Sequence, residues 1–215
     1  MNAWRRSAVA SDGRAIVATG RRELPTGYTL LELIFALGLT TTIAAMAVPQ
    51  TLTALDGARA ASATRYVSAR LHRARIEAIS RSADVGIKFT AAQCGFAFTA
   101  YVDGNANGIR TTDISRGIDR EIVARQCLAE LFRGVDFGTL PNLPAIDPQS
   151  PAPGGDPIKL GAGDVVTFSS GGTSTSGTLY ILGSGRTQYA VRVFGETGRI
   201  RILRFDSRTW RWIAR

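Results

Sequence analysis

The feature that most constrains this chain is an apolar run of about twenty residues, Tyr28 to Val48, with one charge near its beginning. At about 1.5 Å per residue, a helix of this length spans the roughly 30 Å hydrocarbon core of a bilayer. The charged residue is Glu32. A carboxylate in the bilayer costs about 2.5–3.5 kcal/mol on insertion scales, so it usually marks a function and needs a partner. The run therefore predicts a membrane-spanning helix whose acid makes a specific contact.

The charge pattern predicts which way this helix is oriented. Residues 1–27 carry five arginines against two acids, and positive residues before a first apolar segment hold that end in the cytoplasm. Everything after Val48 is then outside the cytoplasm. Two further segments are basic: Arg59 to Arg81 has a net charge of +5, and Arg186 to Arg215 has a net charge of +6. Clustered charge of this kind bears on partners.

Four residues at fixed offsets resemble the prepilin signal of type IV pilins and secretion pseudopilins. They are Gly27, the aromatic Tyr28 directly after it, Glu32 as the fifth residue from Tyr28, and Pro49 as the twenty-second. The resemblance implies that a prepilin peptidase cuts after Gly27, that the new amine of Tyr28 is methylated, and that Glu32 neutralises the amine of a neighbouring subunit. Two alternatives are an ordinary secretory signal ending near Ala45–Ala47 and a plain membrane anchor.

The helix is predicted to continue past Pro49 to about Arg81. Val67, Leu71, Ala74 and Ala78 recur at the spacing of one helix face, which Ile76 and Ile79 are expected to widen. The predicted organisation is a leader at 1–27, a transmembrane and assembly helix at 28–49, its amphipathic continuation at 50–81, and a β-rich head at 82–215.

From Asp84 the apolar period changes from 3.6 to 2, which indicates strands separated by glycine-rich turns. The predicted fold class is α+β, with one long helix packed on antiparallel sheets in a pilin-like fold with a β-sandwich head. After two early runs from Val85 to Val102, strands are predicted at Glu121–Leu128, Leu131–Phe137, Val165–Phe168, Thr178–Leu182, Tyr189–Phe194, Arg199–Phe205 and Thr209–Ile213. Six prolines make residues 139–163 a long irregular loop, which is expected to be a surface excursion without function.

Two stretches resemble the GspH/FimT group within the pilin-like proteins. The helix end has Arg75, Glu77, Ala78 and Ile79 of an "ARxEAI" pattern, and a "GRxR" close stands at Gly198-Arg199-Ile200-Arg201. The resemblance implies a minor pseudopilin of the H type in a type II secretion system, a structural subunit of the periplasmic pseudopilus. It would be anchored in the bacterial inner membrane by a single span, with other pseudopilins or pilins as partners.

The same Gly198–Arg201 motif supports an alternative function, that of a FimT-type minor type IV pilin that binds DNA for natural transformation. On a strand, Arg199 and Arg201 project from one face, about 6.5–7 Å apart, and arginine forks onto phosphate oxygens. Arginine interleaved with aromatics is typical of surfaces that hold nucleic acid. The supporting residues would be Arg204, Arg208 and Arg211. The competing interpretation is that Trp210 and Trp212 share a strand face and close the core, leaving the arginines in solvent.

Cys94 and Cys127 lie in the part predicted to be outside the cytoplasm, where disulfides persist. An even count without CxxC spacing favours one bridge over zinc, and two buried thiols are the alternative. Asp103, Asn105, Asn107 and Gly108 match the first half of a calcium loop, but position 12 is Ile114 instead of an acid. The same residues suit a tight turn, so calcium is a weak candidate.

Catalysis has little support in this sequence. The single histidine, His72, lies in the predicted helix between Arg70 and Arg73, so no Ser/His/Asp set can be assembled. No glycine-rich nucleotide loop is present. The chain is predicted not to be an enzyme and, calcium aside, to need no cofactor.

Overall fold

The computed structural model of the protein describes residues 27–147, 151–161 and 163–215. Its contacts divide the chain into two units, one ending at Ala45 and one from Met46 to Arg215, and each is described by itself. The predicted leader lies outside the described residues except for Gly27, and Pro148 of the proline-rich loop also lies outside them.

Helix α1 spans Leu30–Arg81 and begins where a side chain can cap it. Thr29 Oγ1 accepts a hydrogen bond from the backbone amide of Glu32 at 3.2 Å, which satisfies one of the amides that a helix start leaves unpaired. The pattern Thr-x-x-Glu is that of a capping box. The start of α1 therefore follows from local sequence.

The part of α1 up to Ala45 is exposed along its whole length. The helix contains an 18-residue stretch of mean hydropathy 1.9, long and apolar enough to cross a membrane. The hydroxyls of Thr40, Thr41 and Thr42 donate to backbone carbonyls one turn earlier at 2.8–2.9 Å. Because these hydroxyls are hydrogen-bonded within the helix, the three threonines are compatible with an apolar environment.

The later part of α1 buries one face against the head. The predicted residues Val67, Leu71, Ala74 and Ala78 are all buried. The prediction for Ile76 and Ile79 is wrong, since their side chains are 65% and 50% exposed. At 3.6 residues per turn, Ile76 lies about 180° around the helix from Val67, on the opposite side from the buried stripe.

The head contains two antiparallel sheets. In the first, the strand order is β3-β2-β1-β6, with β1 at Val85–Ala92, β2 at Gly95–Val102, β3 at Arg120–Cys127 and β6 at Val165–Phe168. In the second, the order is β10-β9-β8-β7-β4, with β5 also pairing with β7. These strands are β4 at Val135–Phe137, β5 at Ile158–Lys159, β7 at Gly177–Gly183, β8 at Gln188–Phe194, β9 at Arg199–Asp206 and β10 at Arg211–Ala214.

The main core joins α1 to both sheets. Leu71 of α1, Phe89 of β1, Phe168 of β6 and Val191 of β8 belong to one buried cluster. A long helix packed with antiparallel sheets is the α+β class expected from the sequence, and that prediction is confirmed.

Two short helices interrupt the predicted strand pattern. Helix α2 covers Thr111–Ser115, and helix α3 covers Leu128–Leu131. The predicted strand Leu131–Phe137 is therefore wrong in its first half, because the chain turns after Cys127 and forms a strand again only at Val135. An apolar stretch this short does not distinguish a strand from a helical turn.

The proline-rich loop was predicted from the sequence to be a surface excursion, and the structure corrects this prediction. It contributes β5, and Leu143 is buried in a second cluster with Tyr180, Leu203 and Phe205 on the outer face of the second sheet. Gln188, which is 1% exposed, accepts a hydrogen bond from the amide of Leu140 at 2.9 Å. The loop thus covers one face of the sheet, and burial raises the pKa of Tyr180 to about 12.

Candidate functional site

The predicted assembly residues lie at the start of α1. Glu32 occupies the third position of the helix, where a carboxylate is favoured by the helix dipole. Within the part of the chain that the structure describes, Glu32 makes no ion pair. Tyr28 is 83% exposed, and Pro49 lies inside the helix, where it lacks the amide that would bond the carbonyl of Ala45.

Cys94 and Cys127 are joined by a disulfide. It ties the β1–β2 turn to the end of β3, and the two cysteines are 33 positions apart in the sequence. The Glu130 carboxylate lies within 4.8 Å of both sulfurs. Because a disulfide offers no thiolate, this group is not a metal site.

The Asp103–Gly108 segment has the contacts of a tight turn. Asp103 accepts hydrogen bonds from the backbone amides of Asn105 at 2.9 Å, Ala106 at 3.0 Å and Gly108 at 2.6 Å. The Asn107 side chain donates to Asp113 at 3.0 Å. Asp103 is therefore already engaged by the loop backbone, as an Asx turn requires. Calcium binding by Asp103, Asn105 and Asn107 stays a prediction.

The structure separates the five candidate arginines into two sets. Arg199 and Arg201 are exposed on β9 and share the outer face of the second sheet with Leu203 and Phe205, by the alternation of a strand. Arg204 has the opposite parity and projects from the other face. Arg211 pairs with Asp206 across β9 and β10 and shares the face of Arg204. The five residues do not form one continuous surface.

A third arginine joins Arg199 and Arg201 on the outer face. Arg192 of β8 lies directly opposite Arg201, and the three line a groove of about 440 Å³ with Ser176 and Glu196. Arg192 forms an ion pair with Asp147 and stacks on the Phe194 ring at 5.4 Å. Like charges opposite each other destabilise a strand pair, so the Asp147 carboxylate offsets part of this repulsion. This surface, Arg192, Arg199 and Arg201, is the outer arginine patch.

The second set surrounds the end of the sheet. Arg204, Arg208 and Arg215 line a recess of about 510 Å³ with Ile213. None of these three makes an ion pair with another residue that the structure describes. Asp206 at its margin accepts hydrogen bonds from Thr209 at 2.7 Å and from the Arg208 amide at 3.1 Å, and the Thr209 bond in particular lowers the pKa of Asp206.

Trp210 and Trp212 were predicted from the sequence to share a strand face, but they have different roles in the structure. Trp212 packs against Tyr180 and Phe205 and donates through Nε1 to the Pro144 carbonyl at 3.0 Å. Trp210 precedes β10 with a φ of +55° and is 53% exposed. Trp212 therefore closes the second cluster, while Trp210 stays largely exposed and contacts the cluster at Phe205, with the ring centroids 5.1 Å apart.

Position 198 of the Gly198-Arg199-Ile200-Arg201 motif is a glycine for a structural reason. Its φ is +59°, a conformation that side chains oppose. A Cβ at this position would lie 2.5 Å from the Gly172 carbonyl oxygen and 3.0 Å from Arg75 Nε. The β8–β9 turn therefore requires this glycine. Neither the positive φ nor the lack of space for a side chain applies to Arg199 and Arg201.

Sequence reasoning missed two residues of these sites. Thr29 could have been found from the Thr-x-x-Glu pattern, because capping is a local signal. Arg192 could not, because its place beside Arg201 depends on the register of β8 against β9. Local sequence does not specify that register.

The family comparison covers the last part of α1 and most of the head. The family model described as type II transport protein GspH matches residues 63–197, which is more than half of the chain. A solved structure similar to the chain is that of the minor pseudopilin EpsH from the type 2 secretion system of Vibrio cholerae. It has 18% sequence identity and a TM-score of 0.42, and the alignment covers 68% of this chain and 97% of EpsH. None of the curated proteins compared with the chain matches it. With well over half of its residues matched by that family model, the chain belongs to the GspH family of type II transport proteins.

Proposed function

We propose that this GspH-family chain acts as an H-type minor pseudopilin held in the inner membrane by residues 28–49 and assembled through them after removal of residues 1–27. The family is structural, and the chain is a pseudopilin and not an enzyme. The observation that supports assembly through residues 28–49 is made at the start of the helix. There an exposed apolar segment carries Glu32, whose carboxylate has no ion-pair partner in the described part of the chain.

The proposed assembly contact follows from electrostatics. A carboxylate and an amine are each costly alone in hydrocarbon, and pairing them offsets much of that cost. The amine in question is that of Tyr28 on a neighbouring subunit, exposed when the peptidase cuts after Gly27. Pairing Glu32 with it would also set the axial register of one subunit against the next. The head, with its own core, would then lie in the periplasm and contact other pseudopilins.

Processing is tested by replacing Gly27 with valine. We expect Gly27→Val to leave the chain uncleaved, so that it keeps its leader and fails to restore secretion in a strain lacking the gene. Because no atom outside its chain neighbours lies within 4 Å of a Cβ built at Gly27, folding should be unaffected. The measurement is the intact mass of the purified protein.

Gly38→Val is the matched control. A Cβ at Gly38 also meets nothing within 4 Å, and the residue lies in the same apolar segment but away from the cleavage site. Gly38→Val should be cleaved normally. Cleavage of Gly27→Val after residue 27, or of the parent chain near Ala45–Ala47, would contradict the proposal and support an ordinary secretory signal.

A second candidate function is DNA binding by the outer arginine patch. The observation that favours it is that Arg199 and Arg201 are exposed on one face beside Arg192, with a groove of about 440 Å³ between them. Arginine pairs can fork onto successive phosphates. This role would belong to a FimT-type pilin rather than a secretion subunit.

The DNA candidate is tested with a pair of double variants of the full chain in detergent micelles. Arg199→Gln/Arg201→Gln should weaken binding to duplex DNA of any sequence and lower the salt slope by about 2, since each phosphate contact contributes about 0.9. The control Arg204→Gln/Arg211→Gln removes equal charge from the opposite face and should retain the slope. Absence of DNA binding by the parent chain at low salt would remove this candidate.

A further inference from the structure

The open edge of the second sheet is formed by β10. This strand pairs with β9 on one side and is the end of the strand order among the residues that the structure describes. The Arg215 amide donates to the Ile202 carbonyl at 3.1 Å. In an antiparallel pair the bonded positions alternate, so the amides and carbonyls of Trp212 and Ala214 point away from β9. They form a short template for another strand.

This edge has neither a proline nor a bulge, and its protection is limited to its four-residue length and the charge of Arg211. Edge strands are commonly blocked by proline, by bulges, by charged side chains or by being very short. The outer strand of the first sheet, β3, has two register shifts against β2. By contrast, β10 pairs with β9 without a shift over its four residues and contains no proline. Trp210, directly before β10, is 53% exposed, and Ile213 within the strand is 50% exposed.

The charge beside this edge is mostly positive. Arg204, Arg208, Arg211 and Arg215 are exposed and make no ion pair within the described ranges. Asp206 is held by Thr209 and by the Arg208 amide. A strand added beside β10 would have alternate side chains opposite Arg211, Ile213 and Arg215. Those side chains would point to the face of Arg204, where carboxylates would find partners.

We propose that the open edge of β10 binds an extended acidic segment of a partner protein by strand addition. Backbone hydrogen bonds to Trp212 and Ala214 would hold the segment, as in other strand-addition complexes. Carboxylates on alternate residues, about 7 Å apart, would pair with the arginines of the recess. The occupant is a polypeptide rather than DNA, because the edge offers a backbone amide and carbonyl pattern that a phosphate chain cannot match. This surface is separate from the outer arginine patch.

The experiment measures anisotropy of a fluorescein-labelled peptide, TEVEVET, with the full chain in detergent micelles. Its glutamates alternate so that all lie on one face of a strand. We expect saturable binding that weakens as salt rises, and binding at least about tenfold weaker for the matched lysine peptide TKVKVKT. Hydrogen exchange should slow at the amides of Trp212 and Ala214 when the acidic peptide is bound.

Two variants separate the edge from the charge. Ala214→Pro removes an amide that points away from β9, which an edge strand tolerates, and should weaken peptide binding at least about tenfold. Arg204→Glu/Arg208→Glu changes only exposed side chains and should weaken it similarly. The control Arg199→Glu/Arg201→Glu makes the same charge change on the outer face and should bind within about twofold of the parent chain.

Several results would overturn the proposal. They are no saturable binding of TEVEVET to the parent chain, equal binding of the lysine peptide, or unchanged amide exchange at Trp212 and Ala214. Peptide binding that survives Arg204→Glu/Arg208→Glu would do the same. Binding of duplex DNA that depends on Arg204 and Arg208 and excludes the peptide would instead assign the recess to nucleic acid. These outcomes do not depend on cleavage after Gly27, so failure here leaves the proposed pseudopilin role standing.

Discussion

Replacing Glu32 with alanine should leave the chain inserted in the membrane and abolish its incorporation with other pseudopilins. Insertion should persist because removal of the one charge makes residues 28–48 more apolar. Incorporation should fail because the amine of a neighbouring Tyr28 would be buried without its carboxylate, and breaking a buried pair costs about 3–5 kcal/mol. The measurement is co-purification of the variant with other pseudopilins from membranes.

The structure adds a control for this experiment. Glu32 donates its backbone amide to Thr29 Oγ1, so a change at Glu32 could also act on the helix start. Thr29→Ala removes the cap, at a cost of about 1 kcal/mol, and keeps the carboxylate. We expect Thr29→Ala to be incorporated and Glu32→Gln, which keeps the side-chain shape, to fail. Normal incorporation of Glu32→Ala would rule out the charge-pairing role.

Replacing Phe168 with alanine should lower the free energy of unfolding of the head by about 3–5 kcal/mol. Phe168 is 0% exposed and belongs to the main core, where β6 pairs with β1 through Val85 opposite Phe168. Removing the ring loses its transfer free energy and leaves a cavity that the surrounding sheets can close only in part. Denaturant unfolding of the full chain in micelles, followed by near-ultraviolet circular dichroism, measures the change.

Ile76→Ala is the control for that loss. Ile76 is also a large apolar residue, but it is 65% exposed on the solvent side of α1. Its replacement should change the free energy of unfolding by no more than about 0.5 kcal/mol. A small effect at Phe168, or a large one at Ile76, would show that Phe168 is not a core residue or that Ile76 is not exposed to solvent.

The fold class could be predicted from the sequence, and the prepilin-like signal stays a prediction. The signal depends on residues at short, fixed separations, and the helix face of Val67, Leu71, Ala74 and Ala78 depends on period alone. Strands such as Val165–Phe168 have their predicted bounds because alternation and flanking turns are local. The membership of the GspH family, expected from short motifs, is confirmed by the match over residues 63–197.

Predictions made from neighbouring residues were wrong where burial depended on contacts with distant parts of the chain. Leu143 reads as part of an irregular loop, yet it is buried against Tyr180 and Phe205, because the outer face of the second sheet needs a cover. The wrong placement of Ile76 came from extending an apolar stripe beyond the face that the helix period allows. These errors concern burial, which is a property of the assembled head.

Sequence alone thus determined the apolar segment with Glu32, the long helix and the alternation of the strands, since each depends on neighbours along the chain. Only the tertiary structure decided how the arginines are grouped. Strand parity places Arg199 and Arg201 on one face and Arg204 and Arg211 on the other, and the register of β8 against β9 brings Arg192 opposite Arg201. The physical reason is that sheet register is set by long-range pairing, so one arginine-rich segment of sequence becomes two surfaces that can bind different partners.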